Sequence, residues 1–252
     1  MTQASSIDQQ PRFADRIVVR LWQQLARLWY PVLTRLSLRH EPISFLNYGY
    51  AGDPSAALLH LEDRDEADRA CIQLYDHVTG GIDLGGSRIL EVSCGHGGGA
   101  SYLARYLKPG SVHGIDRNPH AIRLCKQRHK VAGLTFSCGN AMSLKFARDT
   151  FDAVVNVEAS HCYADLSHFF TEVGRVLRPG GYFFFADFRQ AEPDHAVLHR
   201  QVQASDLEFI SHENISHDVV RAMALNSDRY LRMIQKLVPR PLRKAARSFA
   251  GL

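Results

Sequence analysis

The sequence has few cysteines and no paired cysteine motif. Five cysteines occur among 252 residues, and no two of them form a C-x-x-C pair. An odd number without such pairs indicates neither a disulfide framework nor a structural zinc site. We therefore expect a protein of the reducing cytoplasm that holds no metal.

Long apolar runs are also missing. No stretch reaches the roughly 18 consecutive apolar residues typical of a transmembrane helix, and the N-terminus lacks the uninterrupted apolar segment of a signal peptide. Internal repeats and low-complexity segments are absent as well. Hydrophobic residues make up 45% of the chain and charged residues 22%, which predicts one main domain with an extension.

Acidic residues are scarce in two regions. Arg229 to Arg247 contains seven Lys or Arg and no Asp or Glu, and arginines dominate the polar side of an amphipathic helical pattern from Phe13 to Leu38. Such a basic helix packs on its own domain or lies on an anionic membrane surface. We assign residues 1–60 to this helix and an aromatic loop, Ser44–Pro54, and residues 61–252 to the main domain.

A glycine-rich turn organises the main domain. Arg88–Arg105 reads as an apolar strand, an acidic residue, a glycine-rich turn and a helix. Gly95, Gly97 and Ala100 have the G-x-G-x-x-A spacing of a dinucleotide site, and Asp116 follows at the distance of a ribose-binding acid. The spacing alone therefore leaves a dinucleotide and another nucleotide cofactor as alternatives.

Glu91 separates these alternatives. It stands at the end of the strand, directly before the glycines. Its charge would repel a pyrophosphate and would attract a cofactor that carries a cationic amino-acid group. We therefore favour a cofactor of the second kind.

The rest of the main domain alternates strands with helices of 10 to 15 residues. This order predicts an α/β fold of the Rossmann-like, doubly wound kind with a mostly parallel sheet. Ligands of such sheets lie beyond the carboxyl ends of the strands, where Glu91, Asp116, Asn140 and Asn156 all fall. After the first strand we predict strands at Val112–Ile115, Leu134–Ser137, Phe151–Val157, Tyr182–Phe188 and Leu207–Ser211.

Several motifs carry a family resemblance. RILEVSCGHGGG, GIDRNP, CGNAMSLKF, FDAVVNVEASHCY and RVLRPGGYFFFADF, in this order, resemble class I S-adenosylmethionine-dependent methyltransferases over about residues 60–190. Within that class, FLNYGY, EVSCGHGGGASYL and NVEASHCY resemble the mycobacterial phthiotriol/phenolphthiotriol dimycocerosates methyltransferases and their lipid and glycolipid O-methyltransferase relatives.

The resemblance implies an enzyme that uses S-adenosyl-L-methionine to O-methylate a hydroxyl on a long-chain lipid. A fatty-acid or glycolipid-sugar O-methyltransferase is the alternative, as is a truncated cofactor-binding relative with little activity. Peripheral membrane contact through the basic N-terminal helix fits such a substrate. A nucleic-acid partner is not expected, because no aromatic platform is interleaved with the basic residues.

The resemblance also implies cofactor roles. Glu91 would receive the ammonium group of the methionine end, Asp116 both ribose hydroxyls, and Asn140 the adenine amino group in place of the Asp more common in the family. Ser93 stands where many relatives have glycine, and Tyr48 and Tyr50 would form a lid. The full cofactor-binding set is Tyr48, Glu91, Ser93, Gly95, Gly97, Asp116, Arg117, Asn140, Ala141 and Asn156.

The catalytic candidates are His161 and Glu158, just past the fourth strand. An alcohol is a weak nucleophile, so its methylation gains from a general base within hydrogen-bond reach. The ordinary pKa of histidine, near 6.5, would keep His161 mostly neutral and able to accept a proton. Glu158 would orient His161 or bind the acceptor.

One part of the family pattern is not found. The fold implied by the resemblance has a seventh strand, antiparallel and between the fifth and sixth, but no alternating aromatic segment of this kind occurs before Leu252. We therefore expect a main domain truncated relative to the family, with activity more affected than cofactor binding because a sheet edge is left unpaired.

Overall fold

The computed structural model describes residues 43–53, 55, 58–188, 192–240 and 243–249. The predicted basic helix at Phe13–Leu38 lies outside these ranges. Within these ranges a 3₁₀-helix, Asp63–Asp68, precedes the α-helices. The α-helices are α1 Arg69–Thr79, α2 Gly98–Tyr106, α3 Pro119–Arg128, α4 Leu166–Val176, α5 Glu192–Gln203, α6 Ser216–Leu237 and α7 Arg243–Phe249.

Five strands form one parallel sheet in the order β3-β2-β1-β4-β5. The strands are β1 Arg88–Val92, β2 Ser111–Asp116, β3 Leu134–Cys138, β4 Phe151–Val157 and β5 Leu177–Ala186. The strand order reverses between β1 and β4, which is the position where ligands bind in open α/β sheets. The predicted Rossmann-like α/β fold is confirmed.

Side chains alternate between the two faces of the sheet. Ile89 of β1 and Val155 of β4 join a core with α1, α2 and α3, while Leu90 and Val154 join a second core with α4 and α5. Both faces of the central strands are therefore buried, which explains why Phe151–Val157 is almost continuously apolar.

Polar caps fix where two of the helices begin. The side chain of Asn118 accepts from the backbone N–H of His120 at the start of α3, where Pro119 occupies the first turn. Asp165 caps α4 by accepting from the N–H of His168. These bonds satisfy donors that the first helical turn leaves without partners.

Residues 43–53 pack against the main domain. The carbonyl of Ser44 accepts from Gly98 N at 3.1 Å, and the carbonyl of Ala70 in α1 accepts from Tyr50 N at 2.9 Å. Helix α6 holds the other side, since Arg221 donates to the carbonyls of Ala51 and Gly52. The aromatic loop is thereby fixed beside the glycine-rich turn.

Two strand predictions need correction. The sixth strand at Leu207–Ser211 is wrong: these residues form no strand, and Phe209 stacks on His199 while Ile210 is 77% exposed. The fifth strand begins at Leu177 and ends at Ala186, because Leu177 already pairs with Phe151 before an irregularity in register. Asp187 therefore lies just beyond the strand.

Within the described residues the sheet ends at β5, and no strand pairs with its outer edge. None of the helices in those same residues has the length and apolar character needed to cross a membrane.

Candidate active site

The glycine-rich turn between β1 and α2, together with the start of α2, has no room for a side chain at Gly97 and Gly99. Gly97 has a φ of +82°, and a Cβ there would lie 2.9 Å from Cys125 Sγ. At Gly99 a Cβ would lie 2.1 Å from Tyr75 Cζ and 2.4 Å from Glu91 Oε1. Since real Cβ atoms do not approach so closely, the close packing of this turn requires glycine at both positions.

Glu91 is buried beneath the turn, with 1% of its surface exposed. Its Oε1 accepts from the Tyr75 hydroxyl at 2.7 Å, whereas Oε2 has no hydrogen-bond partner among the described residues. Burial raises the pKa of Glu91 to about 8, and the negative charge of Asp116 also raises it. The Tyr75 hydroxyl and the Ala100 backbone N–H act in the opposite direction and lower this pKa. A buried carboxylate oxygen without a donor is costly unless a ligand supplies one.

Asp116 ends β2 beside the turn. Its Oδ2 accepts from Gly95 N at 3.0 Å, and its Oδ1 accepts from Asn118 N at 2.8 Å. These two backbone bonds fix the plane of the carboxylate. A carboxylate has about four acceptor positions on its two oxygens, so a group of this kind can accept from two vicinal hydroxyls.

Three residues of the predicted cofactor set lie farther along the same edge. Arg117 is exposed after β2, and Ala141 is buried after β3. Asn140 is exposed, and its Oδ1 accepts from Met142 N at 3.1 Å. The amide of Asn140 therefore stabilises its own turn and has one lone pair of that oxygen left for an adenine amino group.

These features fit S-adenosylmethionine. The donor-free Oε2 of Glu91 matches a cationic amino group, the glycine turn admits an extended chain, and Asp116 matches a ribose. We therefore assign Glu91, the turn and Asp116 as the residues that would hold the cofactor.

A buried polar network joins β1 to β4. Asn156 Nδ2 donates to Val92 O and to Tyr163 Oη, both at 2.9 Å, and Tyr163 Oη lies 2.7 Å from Ser93 Oγ. Ser93 adopts a φ of +59°, a conformation that favours glycine. The hydroxyl bond to Tyr163 offsets part of that strain, which explains how serine occupies the position.

Glu158 follows β4 in a strained conformation, with a φ of +45°. Its Oε2 accepts from Tyr48 N at 2.9 Å, and the Tyr48 ring lies 5.8 Å from that of Phe188. Burial and the charge of Asp187 raise the pKa of Glu158 to about 8. The ring of Tyr50, in contrast, stacks on that of His77 in α1, with 4.1 Å between the ring centroids. This packing contact explains the aromatic residue at position 50, so we keep only Tyr48 as a candidate for the lid.

His161 lies in a 3₁₀-helix, Ser160–Cys162, and is held by Asp187. The Nδ1–H donates to Asp187 Oδ1 at 2.8 Å, and the backbone N–H of His161 donates to Oδ2 at 2.8 Å. Asp187 also accepts from the Ser160 hydroxyl and from Phe188 N. The carboxylate therefore fixes the imidazole with Nε2 directed away from Asp187.

The protonation of His161 differs from the sequence-based expectation. Burial alone lowers the pKa of His161, but the hydrogen bond and charge of Asp187, with a contribution from Cys162, raise it to about 10. The ordinary pKa assumed from the sequence is therefore wrong for the ligand-free protein. A cationic group bound nearby would oppose this rise, because like charges disfavour the protonated form.

Three residues of the candidate site were not predicted from the sequence: Tyr75, Tyr163 and Asp187. Asp187 directly follows the end of a strand, as Glu158 does, but the sequence-based prediction placed it within β5. A strand boundary at Ala186 would have revealed it. Tyr75 and Tyr163 carry no local signal, since buried tyrosines at helical spacing read as core residues.

The family follows from sequence comparison. A family model for a methyltransferase domain matches residues 90–185. The chain is 45% identical, over 92% of its length, to the phthiotriol/phenolphthiotriol dimycocerosates methyltransferase of Mycobacterium tuberculosis, of which it covers 84%. The chain belongs to the class I S-adenosylmethionine-dependent methyltransferases, and S-adenosylmethionine is its cofactor.

A second relative and a solved structure extend this result. The chain is 42% identical, over 94% of its length, to the fatty-acid O-methyltransferase of Mycolicibacterium smegmatis, of which it covers 85%. The crystal structure of the [4+2]-cyclase SpnF matches with a TM-score of 0.64 at 20% identity, covering 91% of this chain and 87% of that one. At this identity the match supports the fold alone, since one fold hosts many chemistries.

Proposed function

We propose that this enzyme methylates a hydroxyl group on a long-chain lipid, with phthiotriol/phenolphthiotriol dimycocerosates as the first substrate class to test. The observation that carries this proposal is the His161–Asp187 pair, whose carboxylate accepts from both the ring and the backbone of the histidine. A base fixed in this way suits an acceptor that must lose a proton. The name of the relative from Mycobacterium tuberculosis supports the lipid class.

S-adenosylmethionine supplies an electrophilic methyl group. His161 would accept the hydroxyl proton at Nε2, which would make the acceptor oxygen a better nucleophile toward that methyl group. Asp187 stabilises the imidazolium that forms. Glu91, the glycine turn and Asp116 hold the methyl donor in place, so that most of the rate comes from positioning.

Aromatic side chains beside His161 suit an apolar acceptor. The Phe188 ring lies 4.3 Å from the imidazole and 39% of its surface is exposed. Together with Tyr48, it gives an apolar surface next to the base, where it would contact the carbon chain near the reacting oxygen and exclude water.

A fatty-acid carboxylate is the second candidate acceptor. The relative from Mycolicibacterium smegmatis favours it, as does the raised pKa of His161, because an imidazolium would pair with a carboxylate. A glycolipid sugar hydroxyl would use the base as the leading candidate does. The charge of the acceptor therefore separates a fatty-acid carboxylate from the two neutral hydroxyl acceptors.

The test uses labelled S-adenosylmethionine with a lipid extract, followed by mass analysis of the labelled product, and then a matched long-chain alcohol and fatty acid. For a hydroxyl acceptor, turnover rises with pH as His161 loses its proton. A rate that falls with rising pH on the fatty acid, with no turnover of the alcohol, would favour carboxyl methylation. Retained cofactor binding without transfer to any lipid would indicate a binding protein with little activity.

We also propose that the basic region at residues 12–39 brings the enzyme to anionic membrane surfaces. The sequence pattern supports this proposal. Sedimentation with vesicles rich in anionic lipid tests it: binding lost on replacing Arg16, Arg20 and Arg27 by Gln, and lost in high salt, is expected.

A further inference from the structure

Tyr75 of α1 reaches beneath the glycine-rich turn to the carboxylate of Glu91. Its hydroxyl donates to Glu91 Oε1 at 2.7 Å, and both residues are buried. Gly99 closes the space between them, since a Cβ there would overlap the ring and the same oxygen. The contact is therefore enclosed on the side of the turn.

The hydrogen bond makes the two carboxylate oxygens unequal. Oε1 has its donor, whereas Oε2 has no partner among the described residues. We propose that Tyr75 is a positioning residue for cofactor recognition: it holds one oxygen of Glu91 so that the other is presented to the ammonium group of the methionine end. This inference rests on the proposed role of Glu91.

Tyr75 also affects the charge of Glu91. Burial raises the pKa of Glu91, and Asp116 raises it further, while the bonds from Tyr75 and the Ala100 backbone lower it. Among the described residues, Asp116 of β2 is the charged group that acts on Glu91, and the buried Cys94 thiol is a further titratable group near it. Loss of the hydroxyl would thus favour the protonated carboxyl, which pairs poorly with an ammonium group.

The experiment compares two ligands by calorimetry. S-adenosylhomocysteine carries the amino-acid end, and 5′-methylthioadenosine lacks it. At pH 7 we expect Tyr75→Phe to weaken S-adenosylhomocysteine binding by about 10-fold and to leave 5′-methylthioadenosine binding unchanged. Tyr102→Phe is the matched control, because Tyr102 of α2 is also a buried tyrosine whose hydroxyl donates to a carboxylate, that of Asp76 in α1, at 2.7 Å. That control should change neither affinity.

The pH dependence gives a second readout. Affinity for S-adenosylhomocysteine should rise between pH 6 and 8 as Glu91 ionises, and Tyr75→Phe should move this rise to higher pH. Equal weakening of both ligands by Tyr75→Phe would mean a purely structural role and would overturn the proposal.

Glu91→Gln distinguishes failure of this inference from failure of the role on which it rests. If Glu91→Gln weakens S-adenosylhomocysteine binding and Tyr75→Phe does not, the positioning role of Tyr75 is excluded while the role of Glu91 stands. If Glu91→Gln has no effect on that binding, the ammonium role of Glu91 is wrong, and the inference about Tyr75 fails with it.

Discussion

The two halves of the carboxyl edge of the sheet are held by different kinds of contact. Around β1 and β2, backbone N–H groups and glycines fix the acids, as Gly95 and Asn118 do for Asp116. Around β4 and β5, carboxylate side chains bind groups far away in the sequence, as Asp187 binds His161 and Glu158 accepts from the backbone N–H of Tyr48. Apart from the bond between Tyr75 and Glu91, the half proposed to bind the cofactor (the cofactor half) therefore depends on backbone shape, whereas the half proposed to bind the acceptor (the acceptor half) depends mainly on side-chain chemistry.

The largest effect should come from filling the turn of the cofactor half. Gly99→Ala places a Cβ 2.1 Å from Tyr75 Cζ, so we expect about 3 kcal/mol of destabilisation and loss of measurable S-adenosylhomocysteine binding. Thermal unfolding and calorimetry check this. Gly174→Ala in α4 is the control, since its nearest neighbour would be 3.5 Å from the new Cβ. If Gly99→Ala behaves like this control, the turn is not sterically constrained.

The contrast between the halves also explains what the sequence could predict. The glycine spacing, Glu91 and Asp116 lie within one βαβ unit, so local pattern was enough to predict them as cofactor-binding candidates. Asp187 reaches the site only through tertiary packing, and no spacing in the chain predicts which acid meets His161. Leu207–Ser211 has a strand-like composition, but without a paired neighbour it stays exposed.

The next largest effect should come from the base of the acceptor half. His161→Ala should lower turnover by roughly 100-fold or more, as loss of a general base does, with S-adenosylhomocysteine affinity nearly unchanged. Single-turnover kinetics and calorimetry separate the two. Reduced cofactor affinity with unchanged turnover of the bound complex would instead put His161 in the cofactor half.

Asp187→Asn should alter the pH profile of the same reaction. Because Asp187 raises the pKa of His161, kcat/KM of the wild type should still be rising above pH 7, as it reports groups of the free enzyme. The variant should reach its plateau at lower pH, with a smaller maximum because the imidazolium is less stabilised. An unchanged profile would mean that Asp187 does not control the base.

A smaller effect should appear in the stability of the ligand-free protein. Folding raises the pKa of Glu91 and Glu158 to about 8 from 4.5, and that of His161 to about 10 from 6.5. Between pH 6.5 and 8 the folded protein keeps protons that the unfolded chain has released, so stability falls as pH rises. The melting temperature should show this decline. Glu158→Gln should make the melting temperature fall less steeply with pH, whereas Glu208→Gln, at an exposed position, is the control. Equal declines in the two variants would contradict the raised pKa of Glu158.

The smallest effect should come from the network that joins the two halves. Ser93→Gly removes the bond to Tyr163 but also the strain of a φ of +59°, so denaturant unfolding should change by less than about 1 kcal/mol. Tyr163→Phe relieves no strain and loses contacts with both Ser93 and Asn156, and should cost about 1–2 kcal/mol. If Ser93→Gly lowers the free energy of unfolding by more than about 1 kcal/mol, the Ser93 hydroxyl, and not the backbone shape, holds the end of β1 to β4. In that case the side-chain chemistry of the acceptor half would extend into the cofactor half.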